Sequence, residues 1–162
     1  MVRIETEIDA SPEDVRTVFF DWESLPEYHT KAIKYIETVP SGSPPSSLQK
    51  GAMLRAGFPG TTLAATVVHN TPTEFRWIGS SFFGAFKGEH YFGFKESMRT
   101  PGGTTFVHGE VNMGWLRFLF KPGWPLHKTQ KGMFAQYSED LKRRVESLKK
   151  HRKDSEVPGL VH

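Results

Sequence analysis

The sequence predicts a single α+β domain in which an antiparallel sheet of about seven strands wraps around a long C-terminal helix. The element order predicts this: one strand, two short helices, a run of strand-like segments with no helix between them, then a long amphipathic segment. A meander of that length with one apolar face must curl or be covered, so we place the last helix across the concave face. One helix does not fill such a sheet, and a cavity between them is expected.

The N-terminal part is predicted to form the first strand and the two short helices. Residues 2–9 (VRIETEID) alternate apolar and polar side chains, which is the period of a half-buried strand. Residues 11–22 begin a helix, because Ser11 can cap it and a proline suited to the first turn follows. Residues 23–29 form a second short helix or turn, since Pro26 is tolerated only near a helix start.

The strand-like segments occupy the middle of the chain, at 31–39, 52–58, 63–70, 74–82, 90–97 and 104–113. Residues 41–51, rich in Ser, Pro and Gly, form a flexible loop, and 100–103 (TPGG) form a hairpin loop. The final helix is predicted at about 128–150, from an apolar stripe of Phe134, Tyr137, Leu141, Val145 and Leu148. We expect residues 1–153 to form the domain and 154–162 to be a disordered tail.

Composition narrows the classes of function. The chain has no cysteine, which excludes disulfides and Cys-ligated zinc, and its 13% aromatic content favours an interior of large flat side chains. The net charge of +3 is weak evidence for any partner. The basic residues concentrate in 141–153 without interleaved aromatics, so we interpret this segment as a solvated helix face and expect no nucleic-acid partner.

No targeting or membrane pattern is recognisable in the sequence. Residues 1–25 lack a basic-then-apolar signal, and no stretch approaches about 18 uninterrupted apolar residues. We therefore expect a cytoplasmic protein without membrane insertion, a monomer or homodimer. No motif implies a cofactor, and none is expected.

Two neighbouring predicted strands carry histidines and a glutamate on what must be their inward face, because phenylalanines share it. That face consists of His90, Phe92, Phe94, Phe106, His108, Glu110 and Asn112. Depending on the length of the hairpin loop, His90 lies opposite Glu110 or opposite Asn112, with β-carbons roughly 5 Å apart. Either register brings the polar groups to one patch of the cavity wall.

That patch has four interpretations. It forms a structural polar network, it orients a ligand, it performs acid–base catalysis, or it binds a metal. Under the catalytic interpretation the candidate residues are His90, His108 and Glu110, because a histidine near neutral pKa beside a carboxylate can move protons. No compact metal-binding spacing supports a metal site, and none is expected.

Other side chains are candidates for ligand contact or for core packing. The candidate ligand-binding residues are Trp77, Phe82, Phe86, Phe92, Phe94, Phe106, Asn112, Phe134 and Tyr137. Residues 114–127 form an apolar link into the last helix, which acts as a pocket lid, a packed connection or a membrane-touching segment.

The order and several local motifs resemble the START-like, helix-grip superfamily (SRPBCC), which includes polyketide cyclase/dehydrases and lipid-transfer domains. The resemblance spans about residues 2–150 and is carried by segments 9–29, 71–79, 86–94 and 102–114. It implies the helix-grip fold and binding of a hydrophobic, aromatic or lipid-like molecule between sheet and helix. The alternative it implies is a cofactor-free cyclase, dehydratase or isomerase acting on a polyketide-like metabolite through His and Glu.

The chain departs from the superfamily pattern near the expected pocket. Tyr28-His29 stands where many relatives carry Trp followed by Asn-Pro, and Asn112 stands where many carry an aromatic residue. The ligand of a typical relative therefore does not transfer to this chain.

Overall fold

The computed structural model describes residues 1–29, 33–58 and 60–156, and the elements follow the predicted order. The strands are β1 (Val2–Ile8), β2 (Tyr35–Val39), β3 (Met53–Phe58), β4 (Thr61–Thr71), β5 (Glu74–Ser81), β6 (Phe86–Glu96) and β7 (Thr104–Asn112). The helices are α1 (Pro12–Phe19), α2 (Leu25–Tyr28) and α3 (Pro125–Glu156). Short 3-10 turns lie at Pro45–Ser47, Phe82–Gly84 and Arg117–Phe120.

All strand pairs are antiparallel, in one curved seven-stranded sheet of order β1-β7-β6-β5-β4-β3-β2. The β6–β7 hairpin pairs Glu96 with Thr104, and this register places His90 directly opposite Glu110. Of the two registers that the sequence allowed, the structure thus adopts the first. The predicted α+β helix-grip fold is confirmed.

Helix α3 packs against β1, β7 and α1. Its buried face carries Phe134, Tyr137, Leu141 and Val145. The aromatic centre of the core is Phe19 of α1, whose ring lies 4.8 Å from that of Phe92 and 5.2 Å from that of Phe94. α1 therefore fills one end of the concave face, and the cavity described below lies towards the start of α3.

Helix α3 is longer than predicted at both ends. It begins at Pro125 instead of residue 128, because a proline is well tolerated in the first turn of a helix. It continues past Lys153 to Glu156, three residues into the segment that was predicted to be a disordered tail. Lys149 donates to Asp9 at 2.9 Å and holds the last turns against the N-terminal part of the chain. The rest of that prediction, 157–162, lies outside the described residues.

Further details differ from the sequence interpretation: β6 begins at Phe86 instead of residue 90, and the β6–β7 loop spans 97–103 instead of 100–103. Leu148 is half exposed, so the buried stripe of α3 ends at Val145. β2 begins at Tyr35 instead of residue 31, and the prediction for residues 30–32 falls outside the described part of the chain. None of the helices in the described ranges has a segment long and apolar enough to cross a membrane.

Candidate functional site

A cavity of about 660 Å³ opens between the sheet and the first turns of α3. Its walls come from β3, β4, β6, β7, the 3-10 turn at Arg117–Phe120 and α3. They are formed by Phe58, Thr61, Phe86, His90, Glu110, Phe120, Gln130, Gly132, Met133, Phe134 and Gln136. A narrow extension of about 40 Å³ reaches further into the core and is lined by Trp77, Phe92, His108 and Tyr137, among others. Aromatic side chains dominate the surface that a bound molecule would touch.

The polar centre of this cavity is the Glu110 carboxylate. Glu110 Oε2 accepts a hydrogen bond from Gln130 Nε2 at 2.7 Å and lies 3.3 Å from His90 Nε2. Gln130 is itself held by Asn112, whose Nδ2 donates to Gln130 Oε1 at 3.1 Å. Within the described ranges, no donor lies within hydrogen-bonding distance of Glu110 Oε1. One carboxylate oxygen is thus held by protein side chains, whereas Oε1 lies over Gly88 without a donor among the described residues.

His90 lies between Glu110 and an indole ring. Its imidazole stacks on Trp77 with ring centroids 4.0 Å apart and planes 9° apart. Burial lowers the pKa of His90, and the opposing charge of Glu110 only partly compensates. His90 is therefore a neutral imidazole at pH 7. Its Nδ1 is buried without a hydrogen-bond partner among the described residues.

His108 does not pair with Glu110, although both lie on β7. Its ring stacks on Phe134 with centroids 3.9 Å apart, and the His90 ring is 6.5 Å away. Burial holds the pKa of His108 well below its ordinary value, and the nearby His90 lowers it further. This histidine is part of an aromatic stack at the deep end of the cavity.

A second buried histidine–carboxylate pair lies behind the cavity wall. His29 Nδ1 is 3.4 Å from Asp140 Oδ2, and the His29 ring stacks on Tyr137 at 4.1 Å. Burial lowers the pKa of His29 to about 4, although the hydrogen bond to Asp140 opposes this shift. Gln136, which lines the cavity, donates to Asp140 at 2.9 Å. The pair is thus one hydrogen bond from the cavity surface.

The candidate residues separate into three groups. His90, His108, Glu110, Trp77, Phe86, Phe92, Phe134 and Tyr137 line the cavity or its extension. Asn112 stands behind the wall and contacts Gln130. Phe94 and Phe106 are fully buried beneath α1 as core, and Phe82 is exposed on a surface turn, so none of these three lines the cavity.

Sequence interpretation missed several wall residues, notably Gln130, Met133, Phe58 and Phe120. For Gln130 a signal was present: it precedes Phe134 by four positions and Tyr137 by seven, which places it on the same helix face. For the others, no local pattern distinguishes a cavity side chain from a core side chain.

A second cleft of about 480 Å³ lies beneath the exposed loop around Ser41–Pro45. It is lined by that loop, by Trp22 and by surface carboxylates, and it contains no histidine. Among the described residues, no group of three His, Asp or Glu side chains is arranged to hold a metal ion. The cavity around Glu110 therefore remains the candidate site.

Solved structures with similar folds come from both bacteria and a plant. A START superfamily protein from Mycobacterium smegmatis is 19% identical with a TM-score of 0.65, and the alignment covers 91% of this chain and 97% of that one. A protein from Helicobacter pylori is 12% identical with a TM-score of 0.70, over 89% and 86% of the two chains. Norcoclaurine synthase from Thalictrum flavum is 14% identical with a TM-score of 0.62, over 89% and 84%. At these identities the likeness shows the fold.

No curated protein matches this chain by sequence. The family described as polyketide cyclase/dehydrase and lipid transport matches residues 1–149, which is nearly the whole chain. Its fold and the aromatic cavity between sheet and helix agree with that match. The chain belongs to the polyketide cyclase/dehydrase and lipid transport family.

Proposed function

We propose that the chain binds an apolar, planar small molecule that carries a hydroxyl or amine group, in the cavity between the sheet and α3. The observation that carries the proposal is Glu110 Oε1, which has no hydrogen-bond donor among the described residues and lies in an aromatic cavity of about 660 Å³. A volume of this size suits a small-molecule ligand. A carboxylate in such a wall accepts a hydrogen bond, so the ligand must supply a donor.

Affinity and orientation come from different parts of this site. Burial of apolar ligand surface supplies roughly 25 cal/mol per Å². Phe58, Phe86 and Phe134 offer flat surfaces for such burial. Glu110 fixes the orientation, because it is held by Gln130 and cannot follow a misplaced ligand without breaking that bond.

Acid–base catalysis is the second candidate, and the His90–Glu110 contact favours it. A neutral imidazole 3.3 Å from a carboxylate, in a largely apolar cavity, can relay a proton to or from a bound molecule. Aldol cyclisation needs a proton removed from carbon and one delivered to the new alkoxide, and dehydration needs a proton removed and one delivered to the departing hydroxyl; the family description includes both activities. Under this proposal the substrate is a polyketide-like compound and Glu110 touches the reacting group.

Binding is tested with two probes that differ by one donor, naphthalene and 2-naphthol, titrated by intrinsic fluorescence. We expect 2-naphthol to bind more tightly, and Glu110→Ala to remove that difference while leaving naphthalene affinity nearly unchanged. Glu5→Ala, which removes a surface carboxylate paired with Arg3, is the matched control. Equal binding of both probes to the wild type would contradict the orienting role of Glu110.

The two candidate functions separate by native mass spectrometry and by turnover. If a co-purified molecule has the same mass before and after incubation with the protein, the result supports binding alone. If the protein converts it, His90→Phe and Glu110→Gln should each slow turnover by roughly a hundredfold or more while binding persists.

A further inference from the structure

Five exposed aromatic side chains cluster beside the cavity mouth, and we name them the aromatic rim. They belong to the turns before β6 and before α3: Phe82, Phe83, Trp115, Phe118 and Trp124. Phe83 is fully exposed, and Trp115 retains 70% of its accessible surface. Large aromatic side chains gathered at one place on a surface mark an interaction site more often than scattered ones do.

The two turns of the aromatic rim are joined by backbone and side-chain contacts. The Leu116 amide donates to the Ala85 carbonyl at 3.2 Å, and the Gly114 amide donates to the Lys87 carbonyl at 3.0 Å. Phe86 packs edge-on against both Phe82 and Phe120. Because Phe86 and Phe120 also line the cavity, the aromatic rim is continuous with its mouth.

The backbone of the rim gives a second reason to expect contact with a partner. Phe82 and Phe83 have φ angles of 49° and 54°, in the left-handed region that bulky residues rarely adopt. Neither side chain is buried in compensation. Packing in the core therefore does not explain two consecutive phenylalanines here, whereas a surface that uses them to contact a partner does.

The exposed charged side chains of the segments that form the aromatic rim are basic. Between Glu110 and Glu139 the sequence has no Asp or Glu. The exposed cations of this region and of the turn before β6 are Lys87, Arg117, Lys121, Lys128 and Lys131. Within the described ranges, none of them lies within 4.0 Å of a carboxylate oxygen.

The basic C-terminal half of α3 is different, because most of its cations contact carboxylates. Arg144 contacts Glu27 at 2.9 Å, Lys149 contacts Asp9 at 2.9 Å, and Arg152 contacts Asp14 at 3.4 Å. Among the described residues, the aromatic rim is therefore surrounded by five cations without a carboxylate partner, whereas several cations of the basic segment 141–153 are paired.

We propose that the aromatic rim and its lysines dock on the surface of an anionic lipid bilayer. Aromatic side chains enter the headgroup region of a bilayer. Exposed Lys and Arg are attracted to anionic lipids when they lie within a Debye length of the membrane surface. A second copy of this chain fits less well, since a symmetric contact would bring the same cations together. The docking is interfacial and requires no spanning segment.

Docking would place the cavity mouth against the bilayer. An apolar ligand could then exchange between membrane and cavity without crossing water. This consequence rests on the proposed binding function, but the docking itself does not, and the experiment below uses no ligand.

Vesicle co-sedimentation of the full chain tests the docking. We expect binding to vesicles of phosphatidylcholine with about one-third phosphatidylglycerol, weak binding to pure phosphatidylcholine, and loss of binding as salt is raised. Trp115 and Trp124 are exposed whereas Trp22 and Trp77 are buried, so brominated lipid should quench only part of the tryptophan emission.

Two variants separate the apolar and the charged contributions. Phe83→Ser with Trp115→Ser, and separately Lys121→Glu with Lys128→Glu, should each lower the vesicle partition about tenfold or more. The matched controls lie at the other end of the sheet: Met98→Ser, and Lys50→Glu with Lys95→Glu. All these side chains are exposed, so thermal unfolding should be unchanged.

Two results would overturn the proposal. One is a wild-type chain that stays in the supernatant with anionic vesicles at low salt. The other is a dimer, or a complex with an acidic protein, seen by sedimentation equilibrium. It would overturn the proposal if the Phe83→Ser and Trp115→Ser changes abolished that complex but left vesicle binding unchanged. In that case the rim is a protein interface.

Discussion

The Glu110 carboxylate on β7 lies over the α-carbon of Gly88 on β6, in the space that a β-carbon at position 88 would occupy. The same carboxylate accepts from Gln130 and contacts His90. Gly88 has no left-handed backbone that would require glycine. Its role is to leave room for Glu110, so a residue that carries no functional group determines where the polar centre of the cavity stands.

Gly88→Ala should therefore displace Glu110 from Gln130 and His90. We expect the free energy of unfolding to fall by about 1–3 kcal/mol, because the new methyl overlaps the carboxylate. Urea unfolding measures it. The control is the same change in a Glu110→Ala background, where it should cost little, since the overlapping group is absent. Equal costs in both backgrounds would contradict the contact.

Gly132→Ala should have the opposite effect. Gly132 lies within α3, and a β-carbon there would meet no atom within 4 Å. Alanine is favoured over glycine in a helix by about 1 kcal/mol, so the melting temperature should rise. Calorimetry of the two alanine variants side by side would show a stabilised and a destabilised protein. A fall at Gly132 would mean that the start of α3 is packed more tightly than described.

Stability should fall as the solution is acidified below about pH 6.5. Burial lowers the pKa of His29 to about 4, and it also lowers the pKa values of His90 and His108. The unfolded chain then binds more protons than the folded one between pH 4 and 6.5. The free energy of unfolding is therefore highest above this window and decreases as the pH falls through it. For His29 alone the loss is roughly 3 kcal/mol. Urea unfolding at a series of pH values measures it.

A histidine variant identifies the source of that pH dependence. His29→Gln should lower stability at pH 7.5, because the ring that stacks on Tyr137 in the core is lost, and should make the decline towards pH 4 shallower. The exposed His151→Gln is the matched control. An unchanged slope in His29→Gln would show that this histidine does not titrate with unfolding.

Two truncations probe where α3 contributes to the core. Val145 is the last buried side chain of α3 in the described part of the chain, so deletion of residues 154–162 should leave the melting temperature nearly unchanged. Truncation after Glu139 removes Leu141 and Val145, which pack in the core, and should abolish cooperative unfolding. Thermal unfolding of both truncated chains is followed by circular dichroism. Similar unfolding curves for the two would contradict the placement of Leu141 and Val145 in the core.

The register of the polar wall was open in the sequence and was resolved by local turn geometry. Ser97 Oγ accepts from the Arg99 and Thr100 amides, and the Ser97 amide donates to the Gly103 carbonyl at 2.9 Å. These bonds close the β6–β7 loop over 97–103 and place His90 opposite Glu110. The alternation of inward phenylalanines was visible beforehand, but it is compatible with either register.

From the amino-acid pattern we could predict the order of elements, the inward faces of β6 and β7, and the buried stripe of α3 as far as Val145. These features follow from periods of two and about 3.6 residues, which operate within one segment. Only the folded chain shows that Gln130 holds Glu110, that Phe94 and Phe106 belong to the core, and that His29 contacts Asp140, which is 111 positions away. Such contacts depend on how α3 lies across the sheet. Packing between segments that are distant in the sequence determines that position, so no local sequence pattern indicates it.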